Sequence, residues 1–220
     1  MTDYDLMYNT IKLYLKVEGK NVGTATGFFF IKDNEKYIVT NRHVVNDMDE
    51  VTFVFHQSYE APGRVRNFTI GGSDIKRIIK THNQYDLAVI NITNFVTEDD
   101  VFKELSESDI ITDYELSYDN VMQNVFIVGY PIGIEDELNK LPTFSTGITS
   151  SNILIDYNGR PEILLNAFAL PGSSGSPVFT IINNRKRLIG IISSGRVYSD
   201  GKPISNLCLA VKAQVINELI

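Results

Sequence analysis

A short run of small residues between two apolar segments is the part of this sequence whose residue types could most directly do chemistry. Residues 170–179 are L-P-G-S-S-G-S-P-V-F. Gly172 can adopt the positive φ that a tight turn often requires, and the backbone N–H groups of such a turn can converge on one point. A serine hydroxyl held there is a candidate nucleophile. Taken alone, the run is equally typical of a plain turn between two strands.

The positions of the histidines restrict which catalytic arrangement this serine could join. A serine nucleophile needs a base within hydrogen-bond reach and a third group to orient that base. The chain has three histidines, His43, His56 and His82, and all of them precede Ser174. This order excludes the α/β-hydrolase arrangement, in which the histidine comes last. Its G-x-S-x-G motif is also absent, because Ser176 stands in place of the final glycine.

The order histidine, aspartate, serine remains open. The segment T-N-R-H-V-V places His43 directly after an apolar strand, and D-L-A-V-I places Asp86 at the head of another. We therefore predict a triad of His43, Asp86 and Ser174. His56 lies inside a predicted strand, which is typical of a core histidine, and His82 is expected to be exposed in a loop.

Six short motifs occur in order between residues 23 and 212 and carry a resemblance to a known family. They are T-N-R-H-V-V, D-L-A-V-I, G-Y-P-I-G, F-S-T-G-I-T-S-S, P-G-S-S-G-S-P and L-I-G-I-I-S-S-G. Together they resemble the chymotrypsin-fold, trypsin-like serine proteases, most closely the bacterial HtrA-like branch, here without the PDZ domain that this branch often appends. The resemblance implies an all-β fold of two six-stranded antiparallel Greek-key barrels and a short C-terminal helix.

The patterns of apolar residues agree with that architecture. We expect the N-terminal barrel in residues 1–105, a linker in 106–119 and the C-terminal barrel in 120–220. Helices are predicted over 3–9, 98–105 and 213–220. The predicted strands are 11–17, 23–31, 36–40, 51–55, 66–70, 75–80 and 86–92, followed by 124–129, 141–149, 153–157, 162–166, 177–182, 187–193 and 206–211.

The resemblance also implies a role for each site residue. Ser174 would attack the scissile carbonyl, His43 would take and return the proton, and Asp86 would orient the imidazole. The backbone N–H groups of Gly172 and Ser174 would form the oxyanion hole. Ser193 would hydrogen-bond the aspartate of the triad.

Two segments are expected to wall the specificity pocket and bind substrate. One contains Phe168, Ala169 and Leu170, and the other contains Ser193, Ser194 and Gly195. Because neither wall carries an acidic residue, we predict a preference for a small or medium apolar side chain, with Phe168 limiting the depth. Ser194 and Gly195 would pair with the substrate backbone as an added strand does.

Two residues depart from the family pattern. Ser173 replaces the usual Asp or Asn, and Ser176 replaces a glycine. Without a carboxylate at Ser173, no trypsin-style activation of a zymogen is expected. Both serines border the oxyanion loop, so a pseudoprotease or peptide-binding module with a collapsed loop stays open, as does an esterase. Loops 135–143 and 196–203 are where a protein or ligand activator would act.

Composition narrows the partners and the compartment. The net charge of −7 disfavours electrostatic capture of nucleic acid or of an anionic membrane, so a polypeptide substrate is the expected partner. The single cysteine, Cys208, and an acidic N-terminus without an apolar segment predict a cytoplasmic protein. No C-x-x-C or H-E-x-x-H spacing occurs, so neither a metal nor a cofactor is expected. The sequence leaves the oligomeric state open.

Overall fold

The described residues, 2–116, 121–197 and 203–220 of a computed structural model, form mainly β-strands. The N-terminal half contains β1 (Thr10–Val17), β2 (Lys20–Lys32), β3 (Glu35–Thr40), β4 (Glu50–His56), β5 (Val65–Gly71), β6 (Ile79–Thr81) and β7 (Ala88–Asn91). The C-terminal half contains β8 (Asn124–Gly129), β9 (Thr143–Thr149), β10 (Glu162–Asn166), β11 (Pro177–Ile182), β12 (Arg185–Val197) and β13 (Pro203–Lys212).

Helices are short and lie between or beside the strands. The α-helices are α1 (Asp3–Asn9), α2 (Arg42–Val45) and α3 (Gly72–Ile78), and the 3-10 helices are Glu107–Asp109, Asp113–Glu115, Pro131–Gly133 and Ala213–Glu218. The last of these lies where the C-terminal helix was predicted. Among the described residues, no helix is long and apolar enough to cross a membrane.

The strands of the N-terminal half make one antiparallel sheet in the order β5-β4-β1-β2-β3-β7-β6. The sheet therefore has seven strands, as many as the strand segments predicted for this half, whereas the family resemblance implied a six-stranded barrel. Alternate residues of β1, among them Ile11 and Leu13, face an apolar core together with Phe29, Ile38 and Phe53. The pairing of β3 with β7 matters most for the site, because it brings the end of β3 next to the start of β7.

The strands of the C-terminal half close into a barrel in the order β10-β13-β12-β11-β8-β9. A further apolar cluster joins the two halves, since Phe28 and Phe30 of β2 pack with Val128 of β8 and Phe179 of β11. The two halves are therefore held together beside the residues that carry the site. These features confirm the predicted all-β, chymotrypsin-like fold class.

Three predicted elements differ from the structure. Residues 75–80 form the end of α3 and then β6, because Ile75, Ile78 and Ile79 have the i, i+3, i+4 spacing that suits one face of a helix. Residues 98–105 contain no helix and bridge to the N-terminal sheet at Val101 and Leu105. Residues 153–157 contain no strand. The part of the predicted linker that is described, 106–116, contains two 3-10 turns.

Candidate active site

The loop that carries Ser174 runs from β10 to β11 and folds sharply at two glycines. Gly172 has φ +93° and Gly175 has φ +86°, which are backbone conformations that residues with a side chain rarely adopt. A Cβ on Gly172 would lie 2.5 Å from the Tyr130 carbonyl oxygen, and a Cβ on Gly175 would collide with the Thr26 carbonyl oxygen. Both glycines therefore allow the loop to pack against neighbouring backbone, and Ser174 is held between them.

His43 and Asp86 come together because their strands are neighbours. His43 lies in α2, directly after β3, and Asp86 lies just before β7, which pairs with β3. The backbone N–H of His43 donates to Asp86 Oδ1 at 3.0 Å, and His43 Nδ1 lies 2.7 Å from Asp86 Oδ2. Asn41 Nδ2 donates to the Asp86 carbonyl at 2.8 Å, which ties the two chain segments together.

The protonation state of Asp86 decides how the histidine is arranged. Burial acts to raise the pKa of Asp86, but hydrogen bonds from the ring and backbone N–H of His43 hold that pKa below its ordinary value. An ionised carboxylate can only accept hydrogen bonds, so Nδ1 of His43 carries the proton. In the neutral ring Nε2 is then an acceptor, and it lies 3.0 Å from Ser174 Oγ. The predicted triad residues are thus brought into one hydrogen-bonded row.

Three carbonyl groups of the serine loop accept hydrogen bonds from residues outside the loop. The Pro171 carbonyl accepts from the Ile132 N–H. The Gly172 carbonyl accepts from Thr26 Oγ1 at 2.8 Å, and the Ser174 carbonyl accepts from the Thr26 N–H at 2.9 Å. Within the described chain, the N–H groups of Gly172 and Ser174 donate no hydrogen bond. They are the two donors that were predicted to form the oxyanion hole.

Thr26 of β2 is a residue of the site that the sequence analysis missed. Besides its two hydrogen bonds to the serine loop, its Oγ1 accepts from the Tyr130 N–H at 3.1 Å. The Thr26 side chain is fully buried, and the backbone carbonyl of Thr26 accepts from Thr40 Oγ1 at 2.8 Å. A polar residue between Ala25 and Gly27, just before the apolar run 28–31, is the sequence signal that could have indicated a role.

A cavity of about 480 Å³ adjoins the triad. It is lined by His43, Asp86, Ala169, Leu170, Pro171, Ser174, Ile192, Ser193, Ser194 and Gly195. Phe168 does not line it, which corrects the expectation that this residue limits the depth of the pocket. Ala167 is buried in the barrel core, so the next side chain, Phe168, points the other way and is 61% exposed.

The prediction of a hydrogen bond between Ser193 and Asp86 is also wrong. Ser193 Oγ donates instead to the Leu209 carbonyl at 3.2 Å. The pairing of β12 with β13 shifts register between Ile192 and Ser194, and this irregularity turns Ser193 toward β13. Within the described chain, the Asp86 carboxylate accepts hydrogen bonds from His43 alone.

The two departures from the family pattern lie behind the serine loop, at a small cavity of about 70 Å³. Ser173 Oγ accepts from the Leu170 N–H at 3.3 Å. Ser176 is fully buried, and its Oγ has no hydrogen-bond partner among the described residues. Gly129 leaves the space that the Ser176 side chain fills. Neither serine side chain bonds to the N–H of Gly172 or Ser174.

The other two histidines lie outside this row. His56 is buried, with Nδ1 2.8 Å from the Pro62 carbonyl, and burial lowers its pKa, as befits a core histidine. His82 is half-buried, whereas it was expected to be exposed, and its Nε2 lies 3.0 Å from Glu218 Oε2. In the described ranges, no group of three or more His, Cys, Asp or Glu side chains could hold a metal ion.

Comparison with known proteins gives one family and several similar structures. The model of the trypsin-like peptidase domain matches residues 25–191. The serine endoprotease from Yersinia pestis is 16% identical, with a TM-score of 0.63 over 99% of this chain and 65% of that one. Rv3671c from M. tuberculosis H37Rv, an inactive mutant form, is 16% identical, with a TM-score of 0.56 over 97% of this chain and 85% of that one.

The HtrA-type protease AlgW, with a tripeptide, is 17% identical, with a TM-score of 0.59 over 99% of this chain and 62% of that one. At such identities the structural likeness shows the fold alone. The chain spans 65% of the length of the Yersinia protein and 62% of AlgW.

Proposed function

Because the chain belongs to the trypsin-like peptidase family, we propose that it is a serine endopeptidase that cleaves extended polypeptide. The observation that carries this proposal is the row from Asp86 through His43 to Ser174 Oγ, with distances of 2.7 and 3.0 Å, beside two unpaired backbone N–H groups. Nucleophile, base and oxyanion donors then stand around one point, as acyl transfer requires.

The reaction follows from these positions. Ser174 Oγ attacks the scissile carbonyl carbon while its proton passes to Nε2 of His43. The ionised Asp86 stabilises the imidazolium that forms, and the N–H groups of Gly172 and Ser174 bind the oxyanion. His43 then gives its proton to the leaving amine, which leaves an acyl group on Ser174. A water molecule, deprotonated by His43, releases that group.

The strand next to the cavity supports the extended conformation of the substrate. β12 pairs with β11 as far as Ile191, whereas its pairing with β13 continues past Gly195. One edge of Ser193, Ser194 and Gly195 is therefore free beside the cavity, where a peptide could add as a strand. The substrate side chain that enters the cavity would lie near Ala169 and Ile192. Asp86 is the one acidic residue among the described residues that line the cavity. A small or medium apolar side chain suits it.

Loop ordering is the regulation that we propose for this site. The loop 135–143 lies in the described part of the chain, next to the Pro131–Gly133 turn that contacts the serine loop. The second loop at which an activator was expected to act, 196–203, lies for the most part outside the described residues. The cytoplasmic location and the absence of nucleic-acid and membrane partners stay predictions.

The experiment that tests the proposal combines a fluorophosphonate probe with casein cleavage. The wild-type chain should react at Ser174 and cleave casein, and Ser174→Ala should lose about six orders of magnitude in turnover. Ser73→Ala, at an exposed serine of α3, is the matched control and should behave as wild type. Labelling of Ser174→Ala at the wild-type rate would refute the proposal.

A second substrate separates the peptidase from the esterase. Hydrolysis of an activated ester without cleavage of casein or of any peptide in a library would favour an esterase with the same triad. Labelling without either reaction would point to a missing activator. An absence of labelling would favour a peptide-binding module.

A further inference from the structure

The orientation of the Pro171–Gly172 peptide bond decides whether the serine loop offers a donor or an acceptor to the reacting carbonyl. The carbonyl and N–H of a trans peptide point in opposite directions. With the Pro171 carbonyl held by the Ile132 N–H, the Gly172 N–H is directed away from Ile132 and remains unpaired. If the plane of the Pro171–Gly172 peptide flipped, the Pro171 carbonyl oxygen would take the place of the Gly172 N–H and repel the oxyanion.

Ile132 makes this hydrogen bond from a strained conformation. Its φ is +46° and its ψ is +29°, in the left-handed region that a β-branched residue rarely adopts. The side chain is 59% exposed, so packing of the side chain does not account for the strain. Something else in the structure must hold the Pro131–Gly133 turn in this shape.

Lys12 of β1 holds that turn from the other half of the protein. Its Nζ donates to the Gly133 carbonyl at 2.7 Å and lies 3.2 Å from Glu135 Oε2. The side chains of Lys12 and Glu135 are only 6% and 10% exposed. The Lys12 ammonium also lies 5.1 and 5.7 Å from the ring centres of Tyr14 and Tyr130, a further favourable contact for a cation.

The buried charge of Lys12 is compensated at this turn. Burying a lysine is costly unless its charge is paired and hydrogen-bonded, and Glu135 and the Gly133 carbonyl meet these two conditions. The bond to the Gly133 carbonyl lies one residue beyond Ile132, so it restricts the peptide groups on which the Ile132 N–H depends. Without Lys12, the partly buried Gly133 carbonyl would lose this hydrogen bond, and within the described chain Glu135 would keep its pair with Lys140 at 3.3 Å.

We propose that Lys12 is a positioning residue for catalysis. Through Gly133 and Glu135 it keeps the turn in the conformation that presents the Ile132 N–H to the Pro171 carbonyl, and so it keeps the Gly172 N–H available as an oxyanion donor. Lys12 touches no reacting atom. The inference rests on the proposed function, since it assigns a role in the oxyanion hole of the same site.

The test compares Lys12→Met with Lys16→Met in the full chain. Methionine keeps most of the apolar stem of lysine and removes the charge and the donor. Lys16 lies on the same strand, is partly exposed and pairs with Glu50 at 3.3 Å, so its loss controls for removing a lysine from β1. On a chromogenic peptide, Lys12→Met should lower kcat about 100-fold with KM nearly unchanged, because one oxyanion donor is lost. Lys16→Met should stay within about threefold of wild type.

Two further variants separate positioning from general destabilisation. Lys12→Arg can donate to both Gly133 and Glu135 and should restore most of kcat. If Lys12→Met fails to fold, Glu135→Gln decides, because it weakens the same anchor without changing its shape. A folded Lys12→Met, or in its place a folded Glu135→Gln, with wild-type kcat would overturn the inference.

A crystal structure of Lys12→Met gives a readout that does not depend on activity. We expect the Pro171 carbonyl to leave the Ile132 N–H in this variant. An unchanged hydrogen bond between these two groups would overturn the inference, whether or not the protein is a peptidase. Failure of the proposed function would appear separately, as wild-type protein that no fluorophosphonate labels at Ser174.

Discussion

Replacing Thr26 by valine should damage both stability and catalysis, because one hydroxyl serves two buried backbone groups. Valine has nearly the same shape as threonine, so the change removes the hydroxyl with little change in packing. The Gly172 carbonyl then loses a hydrogen bond of 2.8 Å and the Tyr130 N–H loses one of 3.1 Å, both in a fully buried place.

Each buried group left without a partner costs about 1–3 kcal/mol, so the loss of two partners in Thr26→Val should lower the free energy of unfolding by about 2–6 kcal/mol. The backbone bond from the Thr26 N–H to the Ser174 carbonyl remains, which argues for a weakened loop and not for loss of the fold. If the N–H groups of Gly172 and Ser174 bind the oxyanion as proposed, a released Gly172 carbonyl loosens these donors, and the loss of one net hydrogen bond corresponds to a fall in kcat of up to about tenfold.

Urea denaturation with linear extrapolation measures the first effect, and steady-state hydrolysis of a chromogenic peptide measures the second. Thr52→Val is the matched control, because the Thr52 hydroxyl shares a hydrogen bond of 2.8 Å with Thr69 at an exposed place on β4. Its stability should change by less than about 0.5 kcal/mol. If Thr26→Val matched the control in both assays, the argument that Thr26 holds the serine loop would be refuted.

Three further predictions concern charge, packing and thiol reactivity. The pKa of Asp86 is lowered in the folded protein, so its ionised form stabilises the fold above its ordinary pKa, and this stabilisation is lost as pH falls through the lowered value. Asp86→Asn should therefore be less stable than wild type at neutral pH, with a difference in the free energy of unfolding that shrinks below about pH 4; a constant difference would contradict this. Gly175→Ala should lower the free energy of unfolding by more than about 2 kcal/mol, because the added Cβ meets the Thr26 carbonyl. Gly159→Ala is the control, since Gly159 has a similar φ of +72° and no atom within 4 Å, and it should lower the free energy of unfolding by about 1 kcal/mol. Equal losses of stability in thermal denaturation would exclude the clash. Burial raises the pKa of the Cys208 thiol to about 12, so a thiol reagent at mildly alkaline pH should modify Cys208 only when urea is added; rapid modification of the native protein would show that the thiol is accessible.

Several strands could be predicted from the sequence because local signals determine them. Asn124–Gly129, Glu162–Asn166 and Pro177–Ile182 have the predicted bounds, since apolar residues there are enclosed by turn residues on both sides. Residues 75–80 could not be placed correctly, because their isoleucines fit a helix as well as a strand and only packing against the sheet selects one.

The same contrast holds within the site. His43 and Asp86 could be identified because each is adjacent to a strand with a strong pattern, and the pairing of those strands brings the two side chains together. The positions of Phe168 and Ser193 could not, because they depend on which way a side chain leaves an irregular strand end.

The sequence by itself determined the kinds of groups present and their order along the chain, and hence the family and the row from Asp86 to Ser174. The tertiary structure decided the orientation of the serine loop, which depends on Thr26 and Lys12. Thr26 bonds to a residue 146 positions away, and Lys12 bonds to one 121 positions away. Hydrogen bonds between such distant segments leave no periodicity or local motif, because the two partners are brought together only by the tertiary fold.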